Sequence, residues 1–131
     1  MNKRPTRGAH RRVLIVETDA AIRSLLEALL RHDGFDIAAA YDRSSALQHV
    51  KRGTHDLVII DPRMQDGDRL LDELHASTGD GHSNIIVLTT PDNFTPALAG
   101  RAGVVAVLHK PFGIGELTDT VAHFCDHKGN A

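Results

Sequence analysis

HDLVIIDPRM occupies residues 55–64, and its middle, Leu57 to Ile60, is an unbroken apolar run that ends at Asp61. A strand with one face in water alternates apolar and polar side chains, so a run without alternation marks a strand covered on both faces, as at the centre of a parallel sheet. VLIV at 13–16 and IIVL at 85–88 have the same character, and VVAVL at 104–108 supplies a further strand. DIAAA at 36–40 is poorer in large side chains and suits a sheet edge.

The segments between these runs carry helical spacing. Asp19 reads as the cap of a helix whose Ile22, Leu25, Leu26, Leu29 and Leu30 form one stripe, stopping near His32 ahead of Gly34. Residues 44–52 place Ala46, Leu47 and Val50 on one face and end at Gly53; residues 68–76 do so with Leu70, Leu71 and Leu74, and 116–124 with Leu117, Val121 and Phe124. Between the fourth and fifth runs Pro91, Pro96, Gly100 and Gly103 leave room only for a short helix, from Thr95 as cap through Arg101. Strict alternation of strand and helix, with right-handed crossovers, implies an α/β fold with a parallel sheet covered by helices on both faces.

In such a sheet ligands sit outside the carboxyl ends of the strands. Those ends carry Glu17, Thr18 and Asp19 after the first strand, Asp61 after the third, Thr89 and Thr90 after the fourth, and His109 and Lys110 after the fifth. Polar residues are ordinary where strands reach solvent, so each alone says little. Together they are a chemical set: a carboxylate can take up a phosphoryl group as an aspartyl phosphate when a divalent cation and a positioned ammonium neutralise the transferring oxygens.

The wider composition bounds the reading. The chain has 131 residues, 41% hydrophobic and 24% charged, with a formal net charge of −2, which fits one domain and gives no global pull toward nucleic acid or membrane. Cys125 is the lone cysteine, so an internal disulfide is excluded and a cytoplasmic setting is expected; there is neither a membrane-length apolar run nor a signal peptide. Residues 1–12, with Lys3, Arg4, Arg7, Arg11 and Arg12, read as a disordered basic tail, 13–126 as the folded domain and 127–131 as a disordered end.

In order and spacing, VLIVETDAAIR at 13–23, HDLVIIDPRM at 55–64, DGDRLLDEL at 66–74, IIVLTT at 85–90 and AGVVAVLHKPF at 102–112 resemble the response-regulator receiver domains of two-component signalling. The resemblance spans 13 to about 126 and implies a doubly wound, flavodoxin-like fold with strand order 2-1-3-4-5. It implies that Asp61 is the phosphoacceptor, Thr89 the switch hydroxyl and Lys110 the ion pair to the phosphoryl group, with a cis proline at Pro111. Magnesium would be held by Glu17, Asp61 and the backbone carbonyl of Arg63, with Thr18 or Asp19 as further candidates. The implied partners are a histidine kinase or phosphotransfer protein upstream and an unknown protein downstream; oligomeric state is open. No enzyme activity is implied beyond accepting the group and losing it by hydrolysis. No output segment follows residue 126, so the domain is expected to act through a protein partner or as part of a longer regulator.

Three departures qualify this. Receivers place two adjacent acids after the first strand, and the second is here Thr18, which should weaken magnesium binding and make phosphorylation slower or more demanding of metal. The turn from Asp61 to Asp66-Gly67 is about two residues shorter than usual. Val107 stands where a switch aromatic is expected. The alternative reading is therefore a pseudo-receiver, a binding module that works without phosphorylation. A nucleotide-binding enzyme is disfavoured because neither phosphate-binding glycine motif is present. His123 and His127 lie one turn apart, but no third metal ligand accompanies them.

Overall fold

A computed structural model describes residues 11–77 and 84–126. The strands are β1 (Arg12–Val16), β2 (Asp36–Ala40), β3 (Leu57–Ile60), β4 (Ile85–Thr89) and β5 (Val104–His109); the helices are α1 (Ala20–His32), α2 (Arg43–Arg52), α3 (Gly67–Ala76), α4 (Pro96–Ala99) and α5 (Ile114–Asp126). The sheet is parallel throughout, in the order β2-β1-β3-β4-β5, as expected, and the alanine-rich strand is at an edge.

The unbroken apolar runs are buried on both faces because the sheet separates two cores. Val13, Ile15, Leu57, Ile59, Ile86 and Leu88 pack on one side with Leu26, Leu30, Leu117 and Val121. Leu14, Val16, Ile60, Ile85 and Val87 pack on the other with Ala46, Leu70, Leu71 and Leu74. Complete burial of each such aliphatic side chain contributes about 1.5–3 kcal/mol.

Register levels the strand ends. Val16 pairs with Ile60 and Ile60 with Val87, so Glu17 and Asp61 leave the sheet side by side. Between β4 and β5 the register slips at Ile85/Ile86, after which Thr89 lies opposite His109 and the Lys110 amide donates to the Thr89 carbonyl at 2.7 Å.

Several boundaries differ from the sequence reading. The expected tail through residue 12 is corrected at its end: Arg12 belongs to β1, its amide donating to the Asp56 carboxylate at 2.8 Å. Residues 1–10 and 127–131, His127 included, lie outside the described residues. α2 begins at Arg43, one residue early, because Asp42 caps it through the Ser45 amide in a reciprocal capping box. α4 is one turn, without the side-chain cap expected of Thr95, and a 3-10 turn at Pro91–Asn93 precedes it. Prolines at both starts permit initiation, and Gly100 ends the helix before Arg101.

Candidate functional site

Glu17 and Asp61 are 1% and 3% exposed, a degree of burial that a carboxylate sustains only when its oxygens are bonded. Lys110 bonds both. Its Nζ donates to Glu17 Oε1 and to Asp61 Oδ2, each at 2.7 Å. The remaining oxygens take backbone donors: the Asp19 amide donates to Glu17 Oε2 at 3.1 Å, and the Arg63 amide to Asp61 Oδ1 at 2.9 Å. Burial pulls the Lys110 pKa down, but the hydrogen bonds it donates to Asp61 and Glu17, with their charges, outweigh it and hold the ammonium above its ordinary value of 10.5. The Lys110–Pro111 peptide is cis.

The other sequence candidates are placed less centrally. Asp19 is exposed and engaged as the α1 cap, its Oδ1 accepting from the Ala21 and Ile22 amides. Thr18 is exposed. Thr89 is buried, and its hydroxyl donates to the Thr90 carbonyl at 3.3 Å rather than to Asp61. Val107 is half-buried against the core containing Leu14 and Ile60. His109 is exposed, its ring meeting Phe94 edge-on at 5.5 Å, so strand alternation does turn it from Lys110.

Sequence reading missed two arginines. Arg23 reaches back from α1 to donate to the Glu17 carbonyl at 2.8 Å, fixing the loop that bears Glu17. The side chain of Arg63, named above only for its carbonyl, lies against the acceptor candidate, with Nε 3.6 Å from Asp61 Oδ1. Position one turn into the helix was an available signal for Arg23; nothing in the sequence pattern signals the direction of Arg63.

A family model described as the response regulator receiver domain matches residues 13–122. The chain belongs to the response regulator receiver domain family. It is similar to the response regulator MprA of Mycobacterium leprae, 37% identical over 110 residues that make up 81% of this chain and 47% of that protein. The chain thus spans about half the length of the curated relatives it matches. Among solved structures, the receiver domain of the hybrid histidine kinase CckA is 30% identical with a TM-score of 0.70, covering 87% of this chain and 98% of that one. The receiver domain of a sensor histidine kinase from Pseudomonas aeruginosa, described with magnesium coordinated in its active-site cleft, is 26% identical with a TM-score of 0.78, covering 90% and 99%.

Receiver domains are signalling domains that partner with histidine kinases or phosphotransfer proteins and generally bind magnesium. In this receiver two buried carboxylates and the Arg63 carbonyl can serve a hard cation, which fits an ion that keeps several of its waters. The charged set stops there: among the described residues no three acidic, histidine or cysteine side chains group as a metal cluster. Beside Lys110 a groove of about 380 Å³, lined by Ile22, Leu25, Pro111 and Phe112, opens to the surface. Among the described residues no helix is long and apolar enough to cross a membrane.

Proposed function

We propose that Asp61 is the phosphoacceptor of this receiver and that the domain signals through a protein surface altered by its phosphorylation. The observation that carries this reading is the Lys110 ammonium bonded at once to the buried carboxylates of Glu17 and Asp61. That arrangement sets a cation against an Asp61 oxygen, as a carboxylate nucleophile needs, although the residue is 3% exposed.

A phosphohistidine on a histidine kinase or phosphotransfer protein is the donor, docked beside the groove at Ile22 and Leu25. An Asp61 oxygen attacks phosphorus and forms the O–P bond; the N–P bond breaks, and its electron pair leaves with the donor imidazole. Lys110 stays as the counter-ion of the new acyl phosphate. The Thr89 hydroxyl, held only by a 3.3 Å bond to a neighbouring carbonyl, turns to the phosphoryl oxygens. Hydrolysis later returns the carboxylate. Glu17, Asp61 and the Arg63 carbonyl would hold magnesium, which when bound supplies positive charge to the phosphoryl oxygens. Its affinity is weakened because exposed Thr18 offers at most a neutral hydroxyl.

The same exposed Thr18, with Val107 packed into the core, favours a second reading, a pseudo-receiver that binds partners without phosphorylation. Intact mass after incubation with acetyl phosphate and magnesium separates the two. The receiver reading expects a gain of one phosphoryl group that is absent in Asp61→Asn; no gain at any magnesium concentration would establish the pseudo-receiver instead.

A further inference from the structure

The charges around the acceptor balance without a metal. Glu17 and Asp61 carry two negative charges, Lys110 and Arg63 two positive ones, and the two cations flank opposite oxygens of Asp61: Lys110 Nζ is 2.7 Å from Oδ2 and Arg63 Nε 3.6 Å from Oδ1. Arg63 meets Oδ1 twice, since its backbone amide bonds the same atom at 2.9 Å. An ion pair between two solvated side chains contributes little, but the Asp61 side chain is 4% exposed and poorly screened by water.

From this juxtaposition we infer that the Arg63 guanidinium is a resident counter-ion for the phosphoryl group. It supplies from within the chain part of the positive charge that an acid at position 18, where this chain has Thr18, would otherwise recruit as a divalent cation. The inference rests on Asp61 being the phosphoacceptor and adds how its charge is managed. Converting the carboxylate to an acyl phosphate raises the negative charge on residue 61 from one unit to two, and a guanidinium is suited to that increment. It remains charged at any working pH, and its planar fork of donors matches phosphate oxygens. Half of the Arg63 side chain reaches solvent, so the guanidinium is not enclosed with Asp61. Of the two consequences expected from Thr18, slower reaction or greater demand for metal, Arg63 removes the second: this receiver binds magnesium weakly and depends on it little.

Phosphoryl incorporation from acetyl phosphate, followed by intact mass from chelator to saturating magnesium, tests this on the full chain with Arg63→Gln and Arg63→Lys alongside. The ratio of the rate in chelator to the rate in magnesium, taken within each protein, cancels differences in stability. The wild-type ratio should stay above about one tenth, while Arg63→Gln loses on the order of tenfold or more in chelator and regains most of it with magnesium. Arg63→Lys should fall between them, keeping the charge and losing the fork. Calorimetric titration of the unphosphorylated proteins with magnesium supplies a readout apart from reactivity: Arg63→Gln should bind the ion more tightly than wild type, because a competing cation has been removed. A wild type inert in chelator, or equal ratios in wild type and Arg63→Gln, overturns the role of Arg63 and leaves the phosphoacceptor reading standing. No incorporation by wild type under any condition overturns both.

Discussion

At the scale of single residues the buried charges obey one rule and His55 shows its converse. His55 lies just ahead of β3, half-buried, and its Nε2 has no hydrogen-bond partner among the described residues. Burial lowers its pKa from 6.5, and the positive charges of Arg12 and His49 reinforce this more than Asp56 and Asp36 oppose it. The folded state therefore favours neutral His55. Its contribution to stability is whole above the unfolded value of 6.5 and is lost as pH falls below it, when the unfolded chain gains a proton that the folded chain resists. Thermal melts between pH 7.5 and pH 5 should decline less steeply in His55→Leu than in wild type; parallel slopes would clear His55 of this role. Lys110 has the opposite sign. Its raised pKa gives stability that is present below 10.5 and disappears as pH climbs through the folded value.

Much of the site at this scale was legible because strand ends are legible. Glu17 and Asp61 follow directly on buried runs and Lys110 comes two residues after buried Leu108, and parallel register brings such positions to one edge. The Arg63 side chain was not legible, since a long side chain in an irregular turn has no periodicity to fix its direction. Thr89 lies at the end of β4, as its position in the sequence implied, but sequence could not reveal that its hydroxyl donates to the neighbouring carbonyl.

Among the elements, the connection from β3 to α3 is where the backbone is most constrained. Asp66 adopts φ 62°, a left-handed conformation that a non-glycine residue enters at a cost, and it makes no side-chain cap to α3. Gly67 then packs so tightly that a Cβ built there would overlap the Pro62 carbonyl oxygen. Gly67→Ala must displace either the start of α3 or the backbone just after Asp61. We expect a loss of about 1–3 kcal/mol in chemical denaturation, with slower phosphoryl incorporation by the folded fraction. An unchanged midpoint would show that the turn yields without strain.

Helices announced by a stripe of leucines were found with small errors at their ends, because capping is settled by one or two side chains. Asp42, with Ser45, starts α2 ahead of the first apolar residue. α4 was harder. Pro91, Pro96, Gly100 and Gly103 leave room only for a short helix, and the single turn at Pro96–Ala99 is shorter than the stretch from Thr95 through Arg101 that the sequence suggests.

Over the whole molecule the sheet is a partition with a full core on each side, so neighbouring residues of one strand serve different halves. Leu14 and Ile15 are both fully buried, on opposite faces. Leu14→Ala and Ile15→Ala should each cost about 2–5 kcal/mol. Because both cores share the five strands, urea unfolding of each variant should remain a single step in far-UV circular dichroism and in methyl NMR signals. Separate transitions would mean that the two layers melt independently. The layered plan was the most legible property of the chain, since unbroken and stripe-like apolar patterns dictate it together; the place of residues 11 and 12 was not, because basic residues at the start of a strand look like those of a tail.

Lys110 meets Asp61 across 49 positions of sequence and Glu17 across 93. On the ribosome, a nascent chain that has just presented Asp61 still lacks the ammonium that holds it ready, the two strands that complete the sheet beside it and the helix that closes the far core. Translation through most of the domain must precede competence. For the phosphoacceptor proposed above, a kinase surveying newly made protein would meet Asp61 in its working pocket only where synthesis and folding have both run to completion, and abortive fragments ending before Lys110 would stay silent in the signalling pool.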